Sequence, residues 1–248
     1  MSGRTRVAAL YDIHGMRDAL AAVLADVERE DVDTIVLGGD IAAGPQPQET
    51  LALLEPLRGR LVWLRGNSER WLNPGEPDAV ETATWSGSRL TDDQRAFLVG
   101  LPPTQKLDVD GLGRVLFCHA VPQNDMDIIT PATPDEHLRK VVAGIDADVI
   151  VAGHTHVQFD KRIDGVRWVN AGSVGMPYEG EVAAYWALLG PDVELRHSEF
   201  DTERAAEAIL ASGWPDAEPF VRENVRAAVS RDEVIPFFEQ QAVDRGER

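Results

Sequence analysis

The chain has 248 residues, enough for one large domain or one domain with a small appendage, and enough to bury a core without disulfide staples. Charged residues make up 27% and the hydrophobic set 44%, a balance that excludes disorder and fibrous repeats. Lysine plus arginine total 24 against 42 aspartate plus glutamate, so a net charge of −18 repels long nucleic acid and anionic lipid unless a cation is bound. The single cysteine, Cys118, excludes an internal disulfide and fits a reducing compartment. No apolar run approaches the roughly 18 residues of a membrane span, and Asp12 and His14 arrive before any signal-peptide core. The expectation is a cytoplasmic, enzyme-sized domain without membrane association.

In chain order, residues 6–11 (RVAALY) read as a buried strand. Leu20, Val23, Leu24 and Val27 then recur at the spacing of one helix face. Residues 34–37 form the next strand, 49–57 a helix and 61–64 a third strand, the β-α-β-α-β order of a parallel sheet. Thr91 with Gln94 predicts a capped helix that stops at Pro102 and Pro103. Residues 115–118 are another buried strand, and 122–134 a long loop of the kind that is more often functional than idle. Thr133, Pro134 and Glu136 predict a capping box for a helix ending near Gly144. Strands follow at 149–152, 166–169 and 183–189, the last paired with 193–196. From Asp201 the character turns helical, with Ala205, Ala206, Ile209 and Leu210 as a stripe. The expected division is a domain over 1–200 and a helical appendage over 201–248. Its stripe can pack back on the domain, cover the site or form a homodimer contact; periodicity alone does not choose.

Polar side chains gather where these strands end. Asp12 and His14 follow the first, Asp40 the second, Gly66 and Asn67 the third, His119 the strand at 115–118, and His154 and His156 the strand at 149–152. Carboxyl ends of strands are where open α/β sheets bind ligands. Singly, each residue has an ordinary explanation: an Asp as a helix cap, a His as a satisfied core residue, Gly-Asn as a turn. Jointly, five strands ending in metal-competent groups point to a metal site. Seven nitrogen and oxygen ligands exceed one structural zinc and suffice for two ions bridged by a carboxylate. Imidazole, carboxylate and amide oxygen suit Mn, Fe or Zn better than Mg or Ca. Two such ions clamp an in-line displacement at phosphorus.

Asp12-Ile13-His14, Gly39-Asp40, Gly66-Asn67, His119 and Gly153-His154-Thr155-His156 stand in the order and spacing of the calcineurin-like metallophosphoesterases. The chain resembles that family from about residue 6 to 190, and the stretches 39–47 and 170–175 resemble its small bacterial members. The resemblance implies a four-layer αββα sandwich with a binuclear site between the sheets and a metal-bound hydroxide as nucleophile. It implies that Asp12, His14 and His156 hold one metal, that Asn67, His119 and His154 hold the other, and that Asp40 bridges. Many members carry His directly after the Asn, where it protonates the leaving group; here Ser68 and Glu69 follow. A serine cannot be a general acid near pH 7. Ser68 and Arg70 are candidate substrate contacts, and His137 is weighed as a substitute acid against a solvent-facing helix residue.

Residues 171–175 (AGSVG) nearly match a serine-hydrolase elbow, but Met176-Pro177 and Gly180 argue against the helix that motif requires. A decayed, non-catalytic scaffold is disfavoured because all seven ligands remain. The reading is a phosphoesterase acting on a small phosphodiester, nucleotide or dinucleoside polyphosphate, with a phosphoprotein substrate as runner-up.

Overall fold

A computed structural model describes residues 5–248. β1 (Val7–Leu10) is apolar throughout because both of its faces are covered. Val7 and Ala9 point between two sheets, while Ala8 and Leu10 face helices. Strand side chains alternate between faces, so burial on both sides reads in sequence as an unbroken apolar run.

The first sheet has the order β10-β9-β1-β2-β3. β2 (Thr34–Gly38) and β3 (Leu61–Leu64) run parallel to β1; β9 (Ala184–Leu189) and β10 (Val193–Ser198) complete the sheet antiparallel. α1 (Arg17–Val27) and α2 (Pro47–Leu54), the latter followed by a 3-10 turn (Glu55–Arg60), make the crossovers. The second sheet has the order β4-β5-β6-β8-β7, formed by β4 (Thr104–Val109), β5 (Gly113–Cys118), β6 (Val149–Ala152), β7 (Phe159–Ile163) and β8 (Val166–Asn170). Between the sheets lie Val36, Leu64, Phe117, Val151 and Val169. Leu20, Val23 and Val27 of α1 cover the outside of the first sheet, and Leu138, Val141 and Val142 of α6 (Asp135–Val142) cover the second. Helix, sheet, sheet, helix: the architecture is the expected α/β sandwich.

Three short helices, α3 (Asn67–Trp71), α4 (Glu81–Arg89) and α5 (Asp92–Val99), connect the sheets. Thr91 and Gln94 form the anticipated reciprocal cap on α5. The cap anticipated at Thr133 does not form. Its hydroxyl instead donates to Glu239 and accepts the Thr130 N–H, so α6 starts after Pro134 without a side-chain cap. β4 and β7 escape the sequence reading because they are edge strands whose half-polar patterns, TQKLDV and FDKRI, reflect one-sided pairing.

After residue 200, α7 (Thr202–Ala211) sets Ala205, Ala206 and Ile209 into the core beneath α1. α8 (Ala217–Phe220) runs into a π-helical turn (Val221–Val225), and α9 (Arg231–Asp244) follows. Among the described residues no helix is long and apolar enough to cross a membrane.

Candidate metal centre

The loops leaving β1, β2, β3, β5 and β6 converge at one end of the sandwich. Asp12 N–H donates to Gly39 O (3.1 Å) and His14 N–H to Asp40 O (2.8 Å), which locks the first two loops together. Their backbone is held in a conformation that side chains resist. Of eight non-glycine residues with positive φ among the described residues, five are Asp12, His14, Asp40, His154 and His156. Such left-handed residues are uncommon and persist where the surroundings over-determine them, typically at functional sites. Gly66 is required sterically: a Cβ there would lie 2.2 Å from Asp40 Oδ1 and 2.8 Å from the His119 ring.

Each of four imidazoles commits one nitrogen to a backbone carbonyl. His14 Nδ1 donates to Ala43 O (3.3 Å), His119 Nδ1 to Gly38 O (3.0 Å), His156 Nδ1 to Met176 O (2.7 Å) and His154 Nε2 to Met126 O (3.1 Å). A carbonyl only accepts, so it fixes the tautomer and leaves the other nitrogen with its lone pair facing the centre. Satisfied core histidines do not share this arrangement four times over. His14 Nε2 and His156 Nε2 end 3.2 Å apart.

The carboxylates sit among these nitrogens. Asp12 Oδ1 lies 3.3 Å from His156 Nε2, 3.8 Å from His119 Nε2 and 3.9 Å from His14 Nε2. Asp40 presents Oδ1 to His119 at 3.6 Å and Oδ2 to His14 at 3.8 Å. One amide atom of Asn67 lies 3.0 Å from His119 Nε2 and 3.1 Å from His154 Nδ1. Asp12, His14 and His156 therefore form one group able to hold a cation, and Asp12, Asp40 and His119 a second, with Asn67 and His154 beside it. Asp12 belongs to both groups, a sharing the sequence reading assigned to Asp40 alone.

The donor set fits divalent ions. Asp12 Oδ1 is fully buried with no hydrogen-bond donor, and the ion-pair partners of Asp12 and Asp40 among the described residues are imidazoles only. Two buried carboxylates facing imidazole lone pairs are strongly unfavourable unless a positive charge sits between them. With no ion between them, protonation of the rings is the alternative source of that charge: burial opposes the charge on Asp12, yet His156, His119 and His14 in their protonated form outweigh it and hold its carboxyl well below the usual range. Burial, reinforced by His119, lowers His154 to about 4, keeping that ring neutral.

Glu69, not singled out by the sequence, organises this end. Its fully buried carboxylate accepts from Asp40 N–H (2.8 Å), Ile41 N–H (2.7 Å) and Gly66 N–H (2.7 Å), joining the β2 and β3 loops. Burial and the nearby Asp40 charge raise it to about 7 against those three donors. Its position three residues into α3 is the N-cap spacing that would have revealed it.

Other expectations resolve differently. Ser68 lines the cavity beside the centre; its N–H donates to Asp40 Oδ1 (2.9 Å), and its hydroxyl is buried without a partner. Arg70 is absent from that lining; its guanidinium grips Asp125 through two 2.9 Å hydrogen bonds and reaches Glu76 at 3.2 Å, so it anchors the 122–134 loop. His137 is also absent from the lining and is half-buried beside Arg248, neither at the centre nor facing solvent. Ser173 is no nucleophile: its hydroxyl donates to Asp12 O (2.8 Å) and accepts from Met176 N–H (2.8 Å).

Comparison with known proteins agrees with this geometry. A family model described as the calcineurin-like phosphoesterase superfamily domain matches residues 6–190. The uncharacterized protein MJ0912 of Methanocaldococcus jannaschii is 24% identical over 241 residues, covering 86% of this chain and 95% of that one. The crystal structure of a metallophosphoesterase from Sphaerobacter thermophilus is similar with a TM-score of 0.72 and 25% identity, covering 92% of this chain and all of that one. The hypothetical protein PH1004 from Pyrococcus horikoshii shares the fold, with a TM-score of 0.77 and 20% identity over 88% of this chain and 97% of that one. Seven metal-competent side chains converging at the ends of five strands, with a family match spanning both sheets, make the chain a member of the calcineurin-like phosphoesterase superfamily.

Proposed function

We propose that the chain hydrolyses small phosphoesters, such as a phosphodiester, nucleotide or dinucleoside polyphosphate. Asp12, His14 and His156 would hold one transition-metal ion, Asn67, His119 and His154 a second, and Asp40 would lie between them. The observation that carries this is Asp12 Oδ1, buried without a donor amid three imidazole nitrogens. When bound, such ions supply positive charge against the phosphoryl oxygens and lower the pKa of water. The chain's own residues do the rest. Carbonyls of Gly38, Ala43, Met126 and Met176 orient the four rings before any ligand arrives, so little reorganisation is needed on binding. Ser68 N–H fixes Asp40, and Ser68 is the candidate substrate contact at the cavity wall.

No imidazole follows Asn67, so leaving-group protonation has no evident donor, which favours diesters and activated esters. The net charge of −18 disfavours long polyanions as substrates and fits a small one. The same reading places the protein in the cytoplasm, with Mn, Fe or Zn as its metals. Metal analysis after chelation and reconstitution tests it. Two ions per chain and metal-dependent release of phosphate or alcohol are expected; no metal uptake would end the proposal.

A further inference from the structure

The cavity beside the metal centre, about 460 Å³, has a second wall of a different kind. Trp71 stands at the end of α3, one turn beyond Asn67. Trp214, Phe220 and Phe238 come from the segment after residue 200. Tyr178 joins the two ends: its ring stacks on that of His156 at 5.1 Å and 23°, and Phe238 lies 6.1 Å further on. Trp214 is pinned by its indole N–H to Thr82 O (3.3 Å) and meets Phe220 edge to face at 5.2 Å. Cavities of this volume that combine apolar and aromatic side chains with placed polar groups are the usual form of small-molecule sites.

The polar groups at this wall are acidic or neutral. Asp216, Glu223 and Asn224 line it, and the lining contains no lysine or arginine among the described residues. Glu223 and Asn224 lie in the π-helical turn, a rare backbone form found mostly at functional sites. Glu223 is ion-paired with Arg222, so beyond the metal centre, with no lysine or arginine in the lining to neutralise a phosphate, the Asp216 carboxylate is left to repel one. Aromatic faces attract flat rings, and carboxylates accept hydrogen bonds from ring amino groups.

Resting on the phosphoesterase reading for the metal end, we infer that this wall receives the organic part of the substrate, a flat aromatic group bearing N–H donors, such as an amino-substituted nucleobase, joined to a single phosphate. A second phosphate in line would meet the Asp216 carboxylate with no cation of the lining to offset it. Of the three substrate classes proposed above, a nucleotide or diester with one phosphate then fits, and a dinucleoside polyphosphate does not.

Adenosine, which has the ring and no phosphate, probes the wall independently of hydrolysis. Binding to the full chain is read by quenching of tryptophan fluorescence, since Trp71 and Trp214 line the cavity, and by calorimetry. Saturable binding is expected, weakened about 5-fold or more by Phe238→Ala, consistent with the loss of one stacking partner, and to a smaller extent by Asn224→Ala, which removes a polar side chain of the wall. Purine riboside, which has neither the exocyclic amino group nor a ring N–H, is expected to bind more weakly than adenosine. In the metal-loaded enzyme, kcat/KM for the 4-nitrophenyl ester of AMP, an activated diester, is expected to exceed that for the 4-nitrophenyl ester of ribose 5-phosphate by about 10-fold or more, and the 4-nitrophenyl ester of ADP to be poorer than that of AMP. Asp216→Lys is expected to narrow the gap between the last two. No saturable adenosine binding, or equal kcat/KM for the AMP and ribose 5-phosphate esters, overturns this inference while the phosphoesterase reading stands. Adenosine binding without metal-dependent hydrolysis of any ester supports the wall and overturns the phosphoesterase reading.

Discussion

At one end of the cavity, Asp12, Asp40 and four imidazoles sit on loops leaving strand ends, each fixed by hydrogen bonds to backbone and five of them at positive φ. At the other end, Phe220 and Phe238 stand on helices after residue 200 and Trp214 on the connection between α7 and α8, held by packing and by single contacts such as Trp214 to Thr82. Strain and polar networks specify a position sharply, at a cost in stability, and suit ions whose coordination tolerates little error. Apolar contact is non-directional and suits a ring that needs area more than angle. The polar end is therefore the rigid half of the site, and the aromatic end the half through which substrate preference can change without touching the chemistry.

The largest test of that division is Asp40→Ala. Asp40 turns one oxygen toward His119 and the other toward His14, so its loss leaves both groups short of negative charge. A fall in kcat/KM of about 10³-fold or more is expected, on the scale of losing charge stabilisation at a catalytic centre, together with loss of metal. His14→Ala and Asn67→Ala, each at one group only, are expected to cost less. Adenosine affinity is expected to stay within about 2-fold of wild type, because apolar stacking does not depend on the ions. Equal, mild effects of all three substitutions would refute a shared carboxylate. Loss of adenosine binding along with the metal would refute independent ends.

Glu69→Gln probes how far rigidity at the polar end comes from beneath the ligands. The carboxylate serves three backbone N–H groups with two oxygens, and the amide retains only one acceptor oxygen. The Asp40 loop loses at least one tether, and metal affinity is expected to drop about 10- to 100-fold, as for other groups that orient metal ligands. Titration of metal into chelated protein measures it. Unchanged affinity would mean that the Asp12–Gly39 and His14–Asp40 backbone bonds hold the loop unaided.

This contrast also explains what the sequence made legible. The convergence of Asp12, His14, Asp40, Asn67, His119, His154 and His156 was readable because each stands within four residues of the end of an apolar strand, a local pattern with a direct geometric consequence. The central strands were readable because β1 and β6 are buried and apolar throughout and β2 and β5 are so over most of their length, whereas the four-layer sandwich came from the family resemblance. The aromatic wall was not. Phe220 and Phe238 carry no local mark distinguishing a core position from a cavity position; that depends on how α8 and α9 dock, through contacts far apart in sequence. Arg70 misled for the same reason: its neighbourhood in sequence is the metal loop, while its partner Asp125 is 55 residues away.

The smallest expected effect concerns that last pair and the 122–134 loop. Arg70 clamps Asp125 from α3, and the next residue, Met126, gives its carbonyl to His154 Nε2. Met126 N–H and Asp127 N–H both donate to Asn124 Oδ1 at 2.9 Å, so the segment moves as a unit. Partial burial opposes the charge on Asp125, but the hydrogen bonds and charge of Arg70 outweigh it and lower the carboxyl from its ordinary 3.8. A depressed carboxyl contributes stability that is fully present above its unfolded value and is lost as pH falls through its folded value. Amide exchange at Met126 and Asp127, corrected for intrinsic rate, is therefore expected to stay slow at neutral pH and to accelerate only below the ordinary carboxylate range. In Asp125→Asn the exchange is expected to be faster at neutral pH and to lose this acid step, since the amide keeps at most one neutral hydrogen bond to Arg70. Because the loop touches the metal centre through one carbonyl, the accompanying loss of metal affinity is expected to be smaller than for Glu69→Gln. Identical exchange in the two proteins at neutral pH would mean that the clamp does not hold the loop, and that the His154 ring is oriented by the Asp12 carboxylate on its backbone N–H (2.9 Å) instead.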